Sequence, residues 1–124
     1  MAKKKILIIE DDQSLVNLIK RAVSQRQYEV FLALAANEGF DQALLQQPNL
    51  IILDILLPGQ NGFECLQRLK EHPKTKTIPV IILSNLGQDE EIRLGLSLGA
   101  VDYLVKADFS IDEVVEKLEK YLES

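Results

Sequence analysis

The sequence predicts a single α/β domain in which strands and helices alternate along the whole chain. Short apolar runs rich in Ile, Leu and Val recur along it, and runs of this length are typical of buried parallel strands. The segments between them carry apolar residues at helical spacing. With 124 residues, 47% of them apolar, the chain is long enough for one domain with a substantial core. We therefore expect five strands and five helices, joined by right-handed crossovers, in one domain over residues 1–124.

The first strand is the run KILII, which ends immediately before Glu10, and a helix over about residues 13–26 follows it. Asp12 is expected to be the N-cap of this helix, because a carboxylate can accept hydrogen bonds from the first-turn amides. The residues expected to face the core follow the i, i+3, i+4, i+7 spacing of one helix face: Leu15, Leu18, Ile19 and Ala22.

The second strand is predicted over residues 28–33, and the third is the run LIIL immediately before Asp54. A short helix joins them. Its residues expected to point inward are Phe40, Ala43 and Leu44.

The third helix is predicted from Asn61 and Glu64, which have the spacing of a capping box in which the asparagine bonds the first-turn amides. The apolar residues of this helix are Phe63, Leu66 and Leu69. The fourth strand, over residues 80–83, ends immediately before Ser84.

The fourth helix is predicted over residues 89–98, with Gly99 in the left-handed cap position that stops it. The last strand covers residues 101–105, and Ser110 with Glu113 caps the last helix. The residues of that helix expected to face inward are Val114, Val115, Leu118 and Leu122.

Chemically active side chains stand where four of these strands end. They are Glu10 and Asp11, Asp54, Ser84, and Lys106. In an open α/β sheet, ligands bind outside the carboxyl ends of the strands, so these side chains are expected to converge on one edge. Three acids, a hydroxyl and an ammonium at one edge predict a site for a phosphate group and a cation.

Four motifs of this chain, IIEDD, LDILLPGQNG, PVIILSN and GAVDYLVK, resemble the phosphoacceptor receiver domain of two-component response regulators. They occur in the family's order between Lys4 and Leu122, and the chain is similar to the single-domain, chemotaxis-regulator type. The resemblance implies a flavodoxin-like, doubly wound (βα)5 fold with a five-stranded parallel sheet of order 2-1-3-4-5. Helices one and five would cover one face of the sheet, and helices two, three and four the other.

The resemblance also implies a phosphorylation-controlled signalling switch. Asp54 would accept a phosphoryl group from a sensor histidine kinase or a phosphotransfer protein of a phosphorelay. Mg²⁺, or Mn²⁺ in its place, would be held by Asp11, Asp54, an assisting Glu10 and the backbone carbonyl of Leu56. The residue types suit these roles, because Mg²⁺ takes about six oxygen ligands and a carboxylate can attack phosphorus to give an acyl phosphate.

Ser84 and Lys106 are expected to hold the phosphoryl group, the serine through its hydroxyl and the lysine through its charge. Tyr103 corresponds to the family's switch aromatic, which turns inward when the hydroxyl residue moves toward the phosphate. A downstream protein would then recognise the face formed by the fourth helix, fifth strand and fifth helix. The resemblance leaves open a monomer or a phosphorylation-dependent dimer.

Composition excludes several other classes of function. A net charge of −5 argues against direct nucleic-acid binding, since Lys3, Lys4 and Lys5 are too short a basic run to provide a binding stripe. No apolar stretch approaches the roughly 20 residues of a membrane span. The single cysteine, Cys65, cannot form an internal disulfide, which suits a reducing cytosol, so a cytoplasmic protein is expected.

Three alternative functions have less support in the sequence. A haloacid-dehalogenase-like phosphatase needs a second acid two residues after the nucleophile, where this chain has Leu56. A flavodoxin-like cofactor binder needs a phosphate loop rich in Gly, Ser and Thr after the first strand, and none is present. A receiver-like module that binds proteins without phosphorylation is opposed by the intact Asp11, Asp54 and Lys106. The chain is therefore not expected to be an enzyme, beyond gaining and losing a phosphoryl group at Asp54.

Two departures from the family pattern carry expectations of their own. Ala107 replaces the usual proline after the lysine, and the Lys106–Ala107 bond is expected to be trans, since a non-prolyl cis bond costs roughly 2.5–4 kcal/mol. Leu56 and Leu86 flank the path of hydrolytic water in this family, so slow loss of the phosphoryl group is expected. The sequence leaves open the cognate kinase, the output partner, and whether the chain stands alone or belongs to a longer protein.

Overall fold

A five-stranded parallel sheet with helices on both faces forms the fold, in a computed structural model that describes residues 3–123. Along the chain the elements are β1 (Lys5–Ile9), α1 (Gln13–Ser24), β2 (Glu29–Ala33), α2 (Ala36–Gln46), β3 (Leu50–Leu53), β4 (Leu56–Leu57), β5 (Gln60–Asn61), α3 (Gly62–Glu71), β6 (Val80–Ser84), α4 (Asp89–Ser97), β7 (Asp102–Val105) and α5 (Ile111–Leu122). The sheet order is β2-β1-β3-β6-β7, which confirms the predicted order 2-1-3-4-5 of the five principal strands.

The central strands are apolar throughout because both faces of the sheet are covered. Successive side chains of a strand point to opposite faces, so β1 divides its residues between two cores. Ile6 and Ile8 pack with α1 and α5, whereas Leu7 and Ile9 pack with α2 and α3. The distribution of helices over the two faces is the one predicted. Ile92 of α4 packs against the same core as α2 and α3.

The core-facing side of α1 is rotated from the one predicted. Val16, Ile19 and Val23 are buried, whereas Leu18 is 47% exposed. The predicted set and the observed set both repeat at helical spacing, and the twelve residues of α1 are apolar at more positions than one face can bury. Ile19 belongs to both sets, and Leu15 and Ala22 are partly buried against the same core, so the prediction is wrong only for Leu18 and omitted Val16 and Val23.

Helix ends agree with the predicted caps in most places. The carboxylate of Asp12 accepts hydrogen bonds from the amides of Ser14 and Leu15, and Ser110 with Glu113 forms a complete capping box. Gly99 has a φ of +111°, in the left-handed region that an L side chain rarely adopts.

The capping box predicted for α3 is formed only in part. Asn61 accepts a hydrogen bond from the amide of Phe63, but no return bond from Glu64 is present among the described residues. The asparagine alone is sufficient to satisfy one of the free amides of the first turn.

The segment after β3 differs from the simple loop expected between the third strand and the third helix. Residues 56–61 form a two-stranded hairpin, β4 with β5, whose turn has Gly59 at a φ of +70°. The amide of Leu57 and the amide of Gly62 both donate to the carbonyl of Ile55, which closes the hairpin against the end of β3.

Residues 106–108 form one turn of 3-10 helix directly after β7. No cis peptide bond is present in residues 3–123, so the predicted trans bond between Lys106 and Ala107 is confirmed. Across the same residues, none of the helices has the length and hydropathy needed to cross a membrane.

Candidate functional site

Backbone pairing at the ends of β1 and β3 brings the first acids together. The amide of Asp54 donates to the carbonyl of Ile9 at 3.0 Å, and the amide of Glu10 donates to the carbonyl of Ala33 at 2.9 Å. The sheet hydrogen bonding thus continues one residue beyond each strand. Asp54 is thereby held beside the end of β1, where Glu10 and Asp11 begin the next loop.

The three acids predicted from the sequence form one cluster. Carboxylate oxygens of Glu10, Asp11 and Asp54 lie within 4.8 Å of one another. Glu10 and Asp54 are buried, at 3% and 4% exposure, whereas Asp11 is exposed. The cluster therefore combines two carboxylates shielded from water with one that faces solvent.

Lys106 lies between the two buried carboxylates. Its Nζ is 2.6 Å from Oε1 of Glu10 and 2.9 Å from Oδ2 of Asp54. Burial alone would lower the pKa of Lys106, but its hydrogen bonds to Glu10 and Asp54 outweigh that effect and raise it. One positive charge thus serves two buried negative charges, and the lysine stays protonated.

Glu10 is held on both of its oxygens. Oε1 receives the lysine, and Oε2 accepts hydrogen bonds from the amides of Asp11 and Asp12 at 3.0 and 3.1 Å. Burial nevertheless raises the pKa of Glu10 to about 7, with the charge of Asp54 acting in the same direction and the hydrogen bond from Lys106 acting against it. The pair of carboxylates thus carries more negative charge than one ammonium neutralises.

Asp54 directs one oxygen toward the lysine and the other toward the hairpin. Oδ2 accepts from Lys106, and Oδ1 accepts a hydrogen bond from the amide of Leu56 at 3.0 Å. Each carboxylate oxygen has further lone-pair capacity, because a carboxylate offers about four acceptor sites in all. Asp54 can therefore act as a metal ligand or as an oxygen nucleophile without first losing these contacts.

Ser84 and Tyr103 are connected through Leu86. The buried Ser84 hydroxyl accepts a hydrogen bond from the amide of Leu86 at 3.3 Å, and the Tyr103 hydroxyl donates to the carbonyl of the same residue. The Tyr103 ring is turned inward, at 8% exposure. Burial raises the pKa of its phenol to about 12, with further contributions from Glu91 and Asp54.

The donor set fits a hard divalent cation such as Mg²⁺ or Mn²⁺. Both prefer carboxylate, carbonyl and water oxygens, and one or two carboxylates are usual. Glu10, Asp11 and Asp54 supply three such groups within 4.8 Å. The role of the Leu56 carbonyl as a further ligand stays a prediction, since the contact seen at Leu56 is made by its amide.

The structure brings together four of the predicted residues, Glu10, Asp11, Asp54 and Lys106, in direct contact or within one ligand sphere. Ser84 is the last residue of β6 and pairs with Val105, the residue before Lys106. Its hydroxyl, however, is hydrogen-bonded to the amide of Leu86.

Sequence reasoning missed the role of Gly62. A Cβ added there would lie 2.5 Å from Cα of Ile55 and 2.6 Å from the carbonyl oxygen of Asp54. Only glycine therefore lets α3 begin against the backbone of Asp54. The sequence does contain a signal for this role, because Gly62 stands at the start of the predicted third helix. Glycine is unfavourable in a helix unless close packing requires it.

An apolar pocket of about 470 Å³ beside the site was also not predicted. Its walls are Ile55, Leu56, Leu57, Gly59, Gln60, Asn61, Phe63 and Leu86. It depends on the β4–β5 hairpin, which has no clear hydrophobic pattern of its own.

A doubly wound sheet with acids and a lysine at the carboxyl ends of its strands defines a class of protein that handles phosphoryl groups with a cation. Comparison with known proteins identifies the family within that class. The sequence model of the response regulator receiver domain matches residues 6–119, so the chain belongs to that family. A receiver domain is a phosphorylation-controlled signalling switch rather than a conventional enzyme, and such domains interact with histidine kinases or phosphotransfer proteins.

Individual relatives agree with this assignment. The chain is 35% identical over 118 residues to the phosphate regulon transcriptional regulatory protein PhoB of Rhizobium meliloti, covering 95% of this chain and 52% of that protein. The chain thus spans about half the length of that curated relative. Because the family match ends at residue 119, assignment of all of residues 1–124 to the domain stays a prediction, and residues 1, 2 and 124 lie outside the described part.

Solved structures show the same fold. A putative response regulator from Chloroflexus aurantiacus superposes with a TM-score of 0.89 at 31% identity, covering 99% of this chain and 100% of that one. The Mn²⁺-bound form of the response regulator Rcp1 superposes with a TM-score of 0.82 at 27% identity, covering 96% and 94%.

Proposed function

We propose that Asp54 is the phosphoacceptor and that it takes its phosphoryl group from a phosphohistidine of a sensor kinase or phosphotransfer protein. The observation that carries this proposal is the placement of one buried carboxylate, Asp54, against both a lysine and two further acids. The incoming phosphoryl group is itself negatively charged, so its approach needs positive charge, which Lys106 would supply directly and the acids would supply through a bound cation. The attack then needs only positioning and charge neutralisation.

Glu10, Asp11 and Asp54 would hold Mg²⁺, with Mn²⁺ as the alternative, and the backbone carbonyl of Leu56 is proposed as a further ligand. When bound, the metal ion supplies positive charge that neutralises phosphoryl oxygens. The solved structure of Rcp1, to which the chain is similar, is described as the Mn²⁺-bound form, which supports the binding of a divalent cation by this chain.

The protein's own groups supply the remaining chemistry. The ammonium of Lys106 lies 2.9 Å from Oδ2 of Asp54. After phosphorylation of Asp54 it could form an ion pair with a phosphoryl oxygen instead. Ser84 can donate its hydroxyl to another phosphoryl oxygen, because its present bond to Leu86 uses the oxygen as an acceptor. In the transfer, an Asp54 oxygen forms a bond to phosphorus, and the phosphorus–nitrogen bond of the donor breaks toward the imidazole.

We propose that the output passes through Ser84, Leu86 and Tyr103. Movement of the serine hydroxyl toward a phosphoryl group would change the Leu86 backbone, to which the Tyr103 hydroxyl is bonded. The affected face, formed by α4, β7 and α5, is the proposed binding surface for a downstream protein. The protein is proposed to be a monomer, or a dimer that forms on phosphorylation.

Labelling by a small phosphodonor tests the central assignment. Incubation with acetyl phosphate and Mg²⁺, followed by intact-mass spectrometry, is expected to add one phosphoryl group to the wild-type chain. Asp54→Asn, or wild type in EDTA, is expected to add none. Asp41→Asn, which changes an exposed acid on α2, is the matched control and should label as wild type does. Undiminished labelling of Asp54→Asn would refute the assignment.

A further inference from the structure

Gly95 is the residue of α4 that lies against the sheet. Of the nine residues of α4, all of which the structure describes, it alone is buried. A Cβ added there would lie 2.6 Å from Cδ1 of Ile82, and 2.9 and 3.1 Å from Cδ2 and Cε2 of Tyr103. Ile82 and Tyr103 are themselves paired across β6 and β7. A side chain at position 95 would therefore collide with the Tyr103 ring in its observed position.

The backbone conformation of Gly95 does not itself require glycine. Among the described residues, the glycines with a φ in the left-handed region are Gly59 and Gly99. Gly95 lies within α4, where glycine is less favourable than alanine because it loses more backbone freedom on folding. The close approach of Ile82 and Tyr103 is thus the feature of this position that requires a residue without a side chain.

The helix backbone at Gly95 is anchored. Its carbonyl accepts a hydrogen bond from the amide of Ala100 at 3.1 Å, and Ala100 is buried in the core. Earlier in α4, Ile92 packs against the same core. A methyl group added at position 95 would therefore meet a helix that cannot easily move away from the sheet.

The Tyr103 ring has a way out that the helix lacks. Its strand, β7, is at the edge of the sheet, so rotation about the Cα–Cβ bond would carry the ring toward solvent. The inward ring is held by its packing and by the hydrogen bond that its hydroxyl donates to the carbonyl of Leu86. The collision at position 95 is therefore relieved most simply by an outward ring.

We propose that Gly95 is a positioning residue of the phosphorylation switch: because it has no side chain, it admits the Tyr103 ring to its inward position, and a side chain there shifts the ring outward. This inference rests on the proposed output through Ser84, Leu86 and Tyr103. An outward ring loses its bond to Leu86, whose amide is bonded to the Ser84 hydroxyl. Because coupling between sites is reciprocal, the same substitution weakens binding of a phosphoryl group at Asp54.

Gly95→Ala tests the position of the ring directly. Labelling the tyrosine rings with ¹³C allows the three tyrosines, Tyr28, Tyr103 and Tyr121, to be followed by NMR, and Tyr103→Phe identifies the Tyr103 signals. A soluble gadolinium chelate relaxes ring protons according to their exposure. In the wild type, Tyr103 should be relaxed least, because it is buried whereas the other two are half-buried. In Gly95→Ala its relaxation should rise to the level of the other two.

Two further variants separate the ring from general overpacking of the core. Ile82→Val removes Cδ1, the other atom that the new methyl group would meet. Tyr103 should be as exposed in Ile82→Val/Gly95→Ala as in Gly95→Ala, but not in Ile82→Val alone. Gly39→Ala is the matched control, because a Cβ at this α2 glycine would lie 2.5 Å from Cδ1 of Ile9. It should lower the urea midpoint and leave the relaxation of Tyr103 unchanged.

Binding of beryllofluoride, an analogue of the phosphoryl group, tests the link to Asp54. In Mg²⁺, Ile82→Val/Gly95→Ala should bind it about tenfold more weakly than Ile82→Val does, since overpacking of this kind lowers the population of the inward ring. The comparison is then repeated with Tyr103→Ala present in both proteins. Once the ring is removed, Gly95→Ala should no longer change the affinity, which a purely structural role of Gly95 would not produce.

The outcomes separate this inference from the proposed function. If the Tyr103 ring stays as protected in Gly95→Ala and in Ile82→Val/Gly95→Ala as in the wild type, the inference is wrong and the assignment of Asp54 stands. If the ring moves outward without a change in beryllofluoride affinity, Gly95 does not position the switch, and the inference is again wrong. If acetyl phosphate in Mg²⁺ does not label the wild type, the proposed function fails and the inference fails with it.

Discussion

The ammonium of Lys106 lies 2.9 Å from Oδ2 of Asp54, although the two residues are 52 positions apart in the chain. The same ammonium is 2.6 Å from Oε1 of Glu10. In this arrangement a single half-buried cation compensates two buried carboxylates, while Asp11 adds a third acid at the surface. The site is therefore short of positive charge before any cation or phosphoryl group arrives, and its stability should respond to both.

Removing one of the competing charges should stabilise the metal-free protein. Asp54→Asn keeps an oxygen that can accept the bond from the Leu56 amide but removes a negative charge beside Glu10. Two like charges about 4 Å apart repel by about 4 kcal/mol at an effective dielectric constant of about 20. Relaxation of the carboxylates and the charge of Lys106 reduce this repulsion, so we expect the free energy of unfolding in EDTA to increase by about 1 kcal/mol.

Urea unfolding of both proteins in EDTA and in Mg²⁺ measures this effect. Mg²⁺ should stabilise the wild type by mass action and the variant much less. A metal-free variant less stable than wild type would show that pairing with Lys106 outweighs the repulsion.

The stability of the metal-free protein should also fall as the pH rises through the titration of Glu10. The pKa of this carboxyl is about 7 in the folded protein, against an ordinary value of 4.5. Between these values the folded protein retains a proton that the unfolded chain has released, so a rise in pH favours unfolding. Below about 4.5 and above about 7 this contribution is constant.

Urea melts in EDTA at several pH values between 5 and 8 test the sign. Other groups contribute to the total slope, so the quantity of interest is the difference between wild type and Glu10→Gln. The free energy of unfolding of the wild type, relative to that of Glu10→Gln, should decrease as the pH rises. A relative stability that increases with pH would contradict the raised pKa of Glu10.

The phosphoryl group on Asp54 should be lost slowly, and Leu56→Asn should accelerate the loss. The Leu56 side chain is 53% exposed at the pocket beside Asp54, where it offers an attacking water no hydrogen-bond partner. One such hydrogen bond is worth about 1 kcal/mol, which corresponds to roughly a fivefold faster hydrolysis. The decay of labelled protein after removal of the phosphodonor gives the rate. Leu45→Asn is the control, because Leu45 is 72% exposed on α2 and does not line the pocket. An unchanged rate would exclude this explanation of phosphoryl lifetime.

Substitutions at two glycines of the same segment should separate steric from conformational effects. Gly62→Ala forces a methyl group to 2.5 Å from Cα of Ile55, and we expect about 3 kcal/mol of destabilisation, together with slower labelling of Asp54. Gly59→Ala meets no atom within 4 Å but must adopt a φ of +70°, which costs about 1–2 kcal/mol. Thermal or urea unfolding measures both. Equal effects would mean that close packing of Gly62 against Asp54 is unimportant.

The sequence was sufficient for the order and identity of the main elements. Buried strands such as Leu50–Leu53 are continuous apolar runs, and signals such as Asp12, Gly99 and Ser110 mark helix ends by local chemistry. Because parallel strands place their carboxyl ends at one edge, the nearness of Glu10, Asp11, Asp54 and Lys106 could also be predicted. These features depend on local chemistry and on a small number of topological rules.

Other features depend on atoms that are distant in the chain. The inner face of α1 was assigned to include Leu18, and only packing against α5 and the sheet selects Val16 and Val23 instead. Each strand of the β4–β5 hairpin has only two residues, which is too few for a periodic pattern in the sequence. Gly62 is required by the backbone of Asp54, which no spacing within α3 reveals.

The residue types of the site were therefore determined by the sequence alone, whereas their electrostatic state was decided by the tertiary structure. That Glu10 is an acid is read directly from the sequence, but its pKa of about 7 is set by burial and by Asp54, which raise it, against a lysine from the end of β7, which lowers it. Likewise, Leu56 and Leu86 are recognisably apolar, but only the folded chain brings them together as walls of one pocket, with their amides bonded to Asp54 and Ser84. Desolvation and pairing depend on distances in space, and those distances exist only after the chain has folded.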